Sequence, residues 1–209
     1  MGKLRIEKRV LGMVRTNSYL VINTETREAF LVDPADSAEV IRKDIDAFGV
    51  QPAGILLTHG HFDHMGAAAD LAEHYGIGIG AGTQEADVME DPAMNLSIQF
   101  GKPFVVKADR LYSDKEEFCM AGFQIRVLHT PGHTKGGVCY YLPEEKVLFS
   151  GDTLFYESVG RSDFPTGSMS VLVHSVRELF DVLPDDTDVY PGHESATTIA
   201  HEKEYNPFV

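Results

Sequence analysis

Thr58-His59-Gly60-His61-Phe62-Asp63-His64 sets three imidazoles and one carboxylate within seven residues. Histidine and aspartate are costly to bury unless something satisfies them. A divalent ion satisfies them together, because neutral imidazole and carboxylate are ligands for zinc, iron and manganese. His59 and His61 stand at i and i+2 and share a direction only on an extended or turning backbone. This is not the i, i+4 spacing of a helical HExxH site. The stretch follows the apolar run Ile55-Leu56-Leu57 and reads as a ligand-bearing turn at the C-terminal end of a strand.

Three other places repeat that design. Ile125-Arg126-Val127-Leu128 leads to Thr130-Pro131-Gly132-His133, Val147-Leu148-Phe149 leads to Ser150-Gly151-Asp152, and Val189-Tyr190 leads to Pro191-Gly192-His193. Glycine frees the backbone to aim a side chain inward and proline fixes its local φ. The candidate ligands are therefore His59, His61, Asp63, His64, His133, Asp152 and His193. A tetrahedral zinc takes about four ligands, and a catalytic one keeps a position for water. Seven ligands fit two ions, bridged by one carboxylate and one water, and two ions about 3.5–4 Å apart can clamp a hydroxide and the oxygen of a reacting group. Cysteine is absent from the set, which argues against a structural zinc knot. His74, His174 and His201 fall in helical, charged contexts and read as surface residues, while His129 reads as packing behind the site.

Strands and helices alternate in a way that can bring these turns together. Leu4–Val10, Ser18–Ile22 and Ala29–Val32 read as strands, the third stopped by Asp33-Pro34. Ala38, Ile41, Ile45 and Phe48 recur at helical spacing, with Asp36 or Ser37 available as a cap and Gly49 as a stop. Gly54–Leu57 is the strand behind the first motif, and a helix is expected from about Asp63 to Tyr75. Gly76–Ala81 matches GxGxxA but follows a helix rather than a strand, so it reads as a short glycine-rich strand and not a dinucleotide site. A short helix over Glu85–Asp91 and a loop over Asp91–Lys102 come next. Strands are expected at Glu117–Met120, Phe123–Leu128, Gly137–Leu142 and Val147–Phe149, then a long loop from Asp152 to Gly167. Met169, Leu172, Val173, Val176, Leu179 and Phe180 mark a helix, Asp188–Tyr190 a strand, and Ser195 the start of a last helix. Residues 1–209 read as one α/β domain.

Composition narrows the function classes. Of 209 residues, 43% are hydrophobic and 24% charged, enough for a sizeable core without disulfides. Cys119 and Cys139 sit in strand-like contexts and read as buried free thiols. Acidic residues outnumber basic ones 32 to 18, for a net charge of −14, and no basic cluster offsets this. A phosphate backbone would be repelled, so nucleic acid is not an expected partner. No apolar run approaches the ~20 residues of a membrane span. The start, Met1-Gly2-Lys3-Leu4-Arg5-Ile6-Glu7, lacks the apolar region of a signal peptide, so a cytoplasmic location is expected.

Together the motifs resemble the metallo-β-lactamase superfamily, and within it short, single-domain hydrolases of the glyoxalase II (hydroxyacylglutathione hydrolase) type. The likeness rests on Thr58–His64, His129–Thr134, Ser150–Phe155, Gly160-Arg161-Ser162-Asp163-Phe164-Pro165 and Tyr190–Glu194. It implies a four-layer αββα sandwich with the metal cleft along one edge of the two sheets. His59, His61 and His133 would hold one ion, Asp63, His64 and His193 the other, and Asp152 would bridge them. Full-length glyoxalase II adds a C-terminal helical domain that supplies much of its glutathione site, whereas this chain ends at Val209. Arg161 and Asp163 stand where those enzymes present a lysine and a tyrosine to glutathione. Arg161 reads either as a contact for a substrate carboxylate or as the partner of Asp163.

The expected reaction is hydrolysis of a thioester, S-lactoylglutathione or a related acyl-thiol, at two divalent ions. Zinc is the first choice of metal, and iron or manganese also fit. A hydroxide bridging the ions, its pKa drawn toward ~7, would attack the carbonyl, with Asp63 and Asp152 as the carboxylates of the reaction centre. A thiolate leaves with little help from a proton donor. The alternatives are a persulfide dioxygenase with one iron, a lactonase or β-lactamase, and a non-catalytic metal-binding module.

Overall fold

The chain from Lys3 to Val209 is described by a computed structural model. Met1 and Gly2, part of the polar start read above for a missing signal peptide, lie outside the described residues. Six strands form the first sheet in the order of the chain: β1 (Leu4–Leu11), β2 (Thr16–Asn23), β3 (Glu28–Val32), β4 (Gln51–Leu56), β5 (Ile79–Gly82) and β6 (Arg110–Tyr112). β1 to β3 are antiparallel neighbours, while β3 to β6 run parallel and need crossovers. Helix α1 (Ala38–Phe48) makes the first crossover, and α2 (Phe62–Met65) with α3 (Ala68–Tyr75) the second. The one-turn α4 (Ala86–Met89) follows β5. β1 is an edge strand and carries Arg5, Glu7, Lys8 and Arg9, charges that discourage pairing with another chain.

The second sheet contains β7 (Glu117–Met120), β8 (Phe123–His129), β9 (Val138–Leu142), β10 (Val147–Gly151), β13 (Asp188–Pro191) and β14 (Thr197–Thr198). Between β10 and β13 come a two-residue hairpin, β11 (Leu154–Phe155) and β12 (Ser158–Val159), and the long helix α5 (Met169–Val182). Helix α6 (Ile199–Tyr205) follows β14. β10 pairs parallel with β13, and β9 is antiparallel to both β8 and β10. β8, β10 and β13 therefore run the same way and end at the same edge of the sheet.

Alternation along the strands separates three apolar layers. Phe30 and Val32 of β3 point between the sheets, where they meet Phe123, Tyr140 and Phe149. Leu31 points outward and packs with Ile41 and Ile45 of α1 and Leu71 of α3. On the far side Leu148 and Val189 face Leu172, Val176 and Leu179 of α5. Three cores between four layers make the αββα sandwich expected from the motifs. Each such buried leucine, isoleucine or valine adds about 1.5–3 kcal/mol to the folded state. No helix among the described residues is long and apolar enough to cross a membrane.

Several local expectations are corrected. The helix expected over Asp63–Tyr75 is two helices, because Ala67 N donates to Pro34 O at 2.9 Å and the chain bends there to meet the first sheet. Ser37 occupies the N-cap of α1 without a side-chain cap bond. The last helix opens at Thr198, whose hydroxyl accepts from His201 N, rather than at Ser195. The strands β6, β11, β12 and β14 were not expected, nor was the single 3₁₀ turn Ser97–Phe100 within the loop after Asp91. Cys139 is buried as expected, but Cys119 is exposed. It alternates with Phe118 and Met120, which take the inward face of the edge strand β7.

Candidate metal centre

The four ligand turns meet at the shared edge of the two sheets. β4 delivers His59, and His61 follows on extended backbone (φ −72°, ψ 147°) as the residue before α2. The single turn of α2 then swings Asp63 and His64 to a second position. β8 leads to His133, β10 to Asp152 and β13 to His193. Backbone bonds hold the edges together at this end: Val138 N donates to Thr58 O at 2.8 Å and Asn17 N to Gly192 O at 2.7 Å. Tyr140 Oη donates to Leu57 O at 2.9 Å and Tyr19 Oη to Pro191 O at 2.6 Å.

The glycines of these turns are required by space or conformation, as two of them show. Gly151 adopts φ +50°, a left-handed value that L side chains rarely take. At Gly192 a Cβ would run into Asp152 Oδ1 and His64 Cε1, so only glycine lets the β13 turn approach this closely.

All seven predicted ligand residues are brought together. Ligand-capable atoms of His59, His61 and His133 lie within 4.8 Å of one another, and so do those of Asp63, His64 and His193. A third such group, His59, His64 and Asp152, lies across the two. Asp152 Oδ2 is 3.5 Å from both His133 Nε2 and His193 Nε2, while its Oδ1 is 3.4 Å from His64 Nε2. That carboxylate faces both groups at once. Buried atoms left without a hydrogen-bond partner include His59 Nε2, His61 Nε2, His64 Nε2 and Asp152 Oδ1. Orphaned polar atoms of this kind cost on the order of 1–3 kcal/mol each, and divalent ions between the two groups would satisfy the converging ones.

Outer contacts fix which nitrogen faces inward in the His59, His64 and His133 rings. His133 Nδ1 donates to the Arg161 carbonyl at 2.6 Å, leaving Nε2 as the inner donor atom. His64 Nδ1 donates to Asp33 Oδ2 at 2.9 Å. His59 Nδ1 lies 3.1 Å from Thr58 Oγ1, which itself donates to Asp33 Oδ2 at 2.6 Å. His61 is turned the other way, with Nδ1 2.9 Å from His133 Nε2. Thr16 Oγ1 donates to Asp63 Oδ2 at 2.6 Å.

The two groups differ in electrostatics. Burial, and then the crowd of neighbouring imidazoles, holds His59 well below its ordinary pKa and brings His61 to about 3. Burial lowers His133 as well. These three rings are neutral nitrogen donors. Around the second group burial also works against charge, but the carboxylates outweigh it. Asp63, Asp152 and Asp33 hold His64 well above its usual value, and Asp63 and Asp152 raise His193. Burial would raise Asp63 too, yet His64, His193 and Thr16 bring it down to about 2. Carboxylates that hold protons on neighbouring imidazoles are equally suited to a dication.

Two contributors escaped sequence reasoning. Asp33 was read only as the stop of β3, yet it sits buried in the left-handed region (φ 48°) and also accepts from Thr58 N at 2.8 Å. Its place at the end of an apolar strand was the available signal. Glu85 is fully buried and accepts from Gly60 N at 2.8 Å and Thr134 Oγ1 at 3.0 Å, so it ties the first ligand turn to the His133 turn. Nothing local in the sequence marks it. Arg161 reaches the mouth of the site, but its side chain is paired with Asp163 at 2.7 and 2.6 Å. Of the remaining histidines, His174 is exposed beside Glu178. His129 is part-buried and pairs with Lys135 O rather than with the centre. His201 is more than a surface residue, stacked on Tyr156 and paired with Glu157.

Comparison with known proteins agrees with this geometry. Residues 11–193 match the family model described as the metallo-beta-lactamase superfamily. Hydroxyacylglutathione hydrolase GloC of Haemophilus influenzae is 36% identical over 196 residues, covering 92% of each chain. Among solved structures, BLEG-1, titled a B3 metallo-beta-lactamase, superposes with a TM-score of 0.92 at 38% identity, covering 98% of this chain and 99% of that one. TTHA1623, solved in a di-iron-bound form, superposes with a TM-score of 0.84 at 34% identity, covering 97% and 100%. With its matched fold, its paired ligand groups and relatives of equal length, the chain belongs to the metallo-beta-lactamase superfamily.

Proposed function

We propose that this chain is a metal-dependent hydrolase that binds two divalent ions, zinc, iron or manganese, and cleaves a thioester. The observation that carries the reading is Asp152, whose carboxylate faces His133 of one ligand group and His64 and His193 of the other. Two ions bound there would supply an acidified water and draw charge from the scissile carbonyl.

The chain's own residues do the positioning. His59, His61 and His133 offer neutral nitrogens on one side, and Asp63, His64 and His193 offer a carboxylate and two imidazoles on the other. Asp33, Thr58 and the Arg161 carbonyl hold the rings so that the donor atoms converge without reorganisation. Thr16 occupies one face of Asp63 Oδ2 and fixes the carboxylate's rotation.

Leaving-group chemistry favours a thioester. Water oxygen forms the new C–O bond, the C–S bond breaks with its electron pair going to sulfur, and the products are a carboxylate, a thiol and one proton. A thiol of pKa near ~8.5 departs as thiolate without a proton donor. The cleft beside the ligands offers little to protonate an amine: apart from them its ionisable side chains are Arg161 and Glu194. The likeness to GloC supports this reading.

A second reading, hydrolysis of a β-lactam amide, draws on the likeness to BLEG-1. Assaying the metal-loaded protein with acyl thioesters and with β-lactams, oxygen excluded, separates the two, and a parallel assay with a glutathione persulfide in air follows oxygen uptake. Thioester cleavage without oxygen is the expected result. Turnover of the lactam alone would overturn the proposal, as would turnover only of a persulfide with oxygen uptake.

A further inference from the structure

The cleft above the ligands encloses about 440 Å³, the size of a small-molecule site. Four phenylalanines stand in its walls. Phe164 stands edge-on to His61 at 5.5 Å and Phe155 edge-on to His193 at 6.0 Å, so each ligand group has a ring beside it. Phe62, in the first ligand turn, stacks on Phe100 at 4.2 Å. Phe100 and Val14 complete the mouth and remain 44% and 38% exposed. Apolar side chains gathered around a reaction centre, rather than scattered singly, mark a surface that a ligand covers.

Charge in the cleft points the same way. Arg161 is the one lysine or arginine among its described lining residues, and both Asp163 oxygens already hold its guanidinium. That guanidinium also lies 4.2 Å above the Phe164 ring, where it acts as part of the wall. Glu194 at the rim adds a negative charge. A substrate carrying carboxylates away from its reacting carbon would find no free partner for them here, while a hydrocarbon acyl group would cover the phenyl rings.

We propose that the cleft selects thioesters with an apolar acyl group, straight-chain or aromatic, on an uncharged thiol, in preference to a hydroxyacyl thioester of an anionic thiol. This rests on the thioester reading above and specifies its substrate. The acyl chain runs from the metal centre along Phe62 and Phe100, and each methylene it buries leaves water.

The test is a series of N-acetylcysteamine thioesters, acetyl, butanoyl and hexanoyl, beside S-lactoylglutathione, with the metal-loaded protein. kcat/KM is expected to rise roughly fourfold per methylene, and the hexanoyl ester to exceed S-lactoylglutathione by at least about tenfold. Phe100→Ala should cut the hexanoyl-to-acetyl ratio by about tenfold or more. A flat series overturns the proposal, as does a preference for S-lactoylglutathione over the hexanoyl ester. If no thioester is cleaved, the thioester reading fails by itself. Calorimetric binding of the unreactive S-hexyl and S-ethyl thioethers of N-acetylcysteamine then decides this inference separately. Hexyl binding more than about tenfold tighter than ethyl sustains the apolar cleft, and equal binding overturns it.

Discussion

Asp33 Oδ2 lies 2.9 Å from Nδ1 of His64, joining a residue at the end of β3 to one 31 positions later. The same oxygen accepts from Thr58 Oγ1, and Oδ1 accepts from Thr58 N, so one carboxylate orients the first ligand turn and the His64 ring. Asp33 holds this place on left-handed backbone, where the sandwich keeps it against the local preference of an L residue.

Asp33→Asn should therefore weaken metal binding without unfolding the chain. Asparagine tolerates the left-handed conformation and keeps the shape, but it removes the charge that fixes the His64 tautomer. Competition against a chelator is expected to show about 10–100-fold weaker binding of one of two ions. Unchanged affinity for both would mean that the Asp33–His64 bond has no part in holding metal.

Glu85 gives a pH dependence that can be assigned to one residue. Burial pushes its carboxyl from 4.5 up to about 7, against the opposing Gly60 N–H and Thr134 hydroxyl. The folded chain thus binds a proton there more tightly than the unfolded chain does. Its contribution to stability is fully present below pH 4.5 and is lost as pH rises to about 7. Measured by denaturant titration from pH 4.5 to 7.5, the wild type should lose stability on the order of 3 kcal/mol relative to Glu85→Gln. The difference between the two proteins cancels any pH dependence of metal binding that they share. Parallel stability curves would contradict the assignment.

Legibility in the sequence followed how local each feature is. The seven candidate ligand residues stand out in the sequence because each sits one short turn beyond an apolar strand, and the strand-end design repeats through His133, Asp152 and His193. The sandwich followed from the family likeness that those motifs carry, and the alternation of Phe30, Leu31 and Val32 supplies its physical basis. Asp33 and Glu85 were not found, because their roles depend on partners 25 to 49 residues away that only the folded sheets bring close. The break between α2 and α3 was hidden for a related reason, since the Pro34 carbonyl that accepts from Ala67 comes from another part of the chain. Cys119 was misjudged because its type suggests burial, whereas the alternation of an edge strand assigns that face to Phe118 and Met120.

On the function proposed above, thioester cleavage depends on two ions that Asp152 holds together. Metal content per chain should be determined alongside the rate of oxygen-free thioester hydrolysis, while metal is returned stepwise to chelator-stripped protein and to Asp152→Ala. Activity is expected to appear with the second equivalent, and Asp152→Ala to retain about one ion and lose at least about a hundredfold in rate. Full activity at one ion per chain, or near-normal turnover in Asp152→Ala, would contradict that dependence.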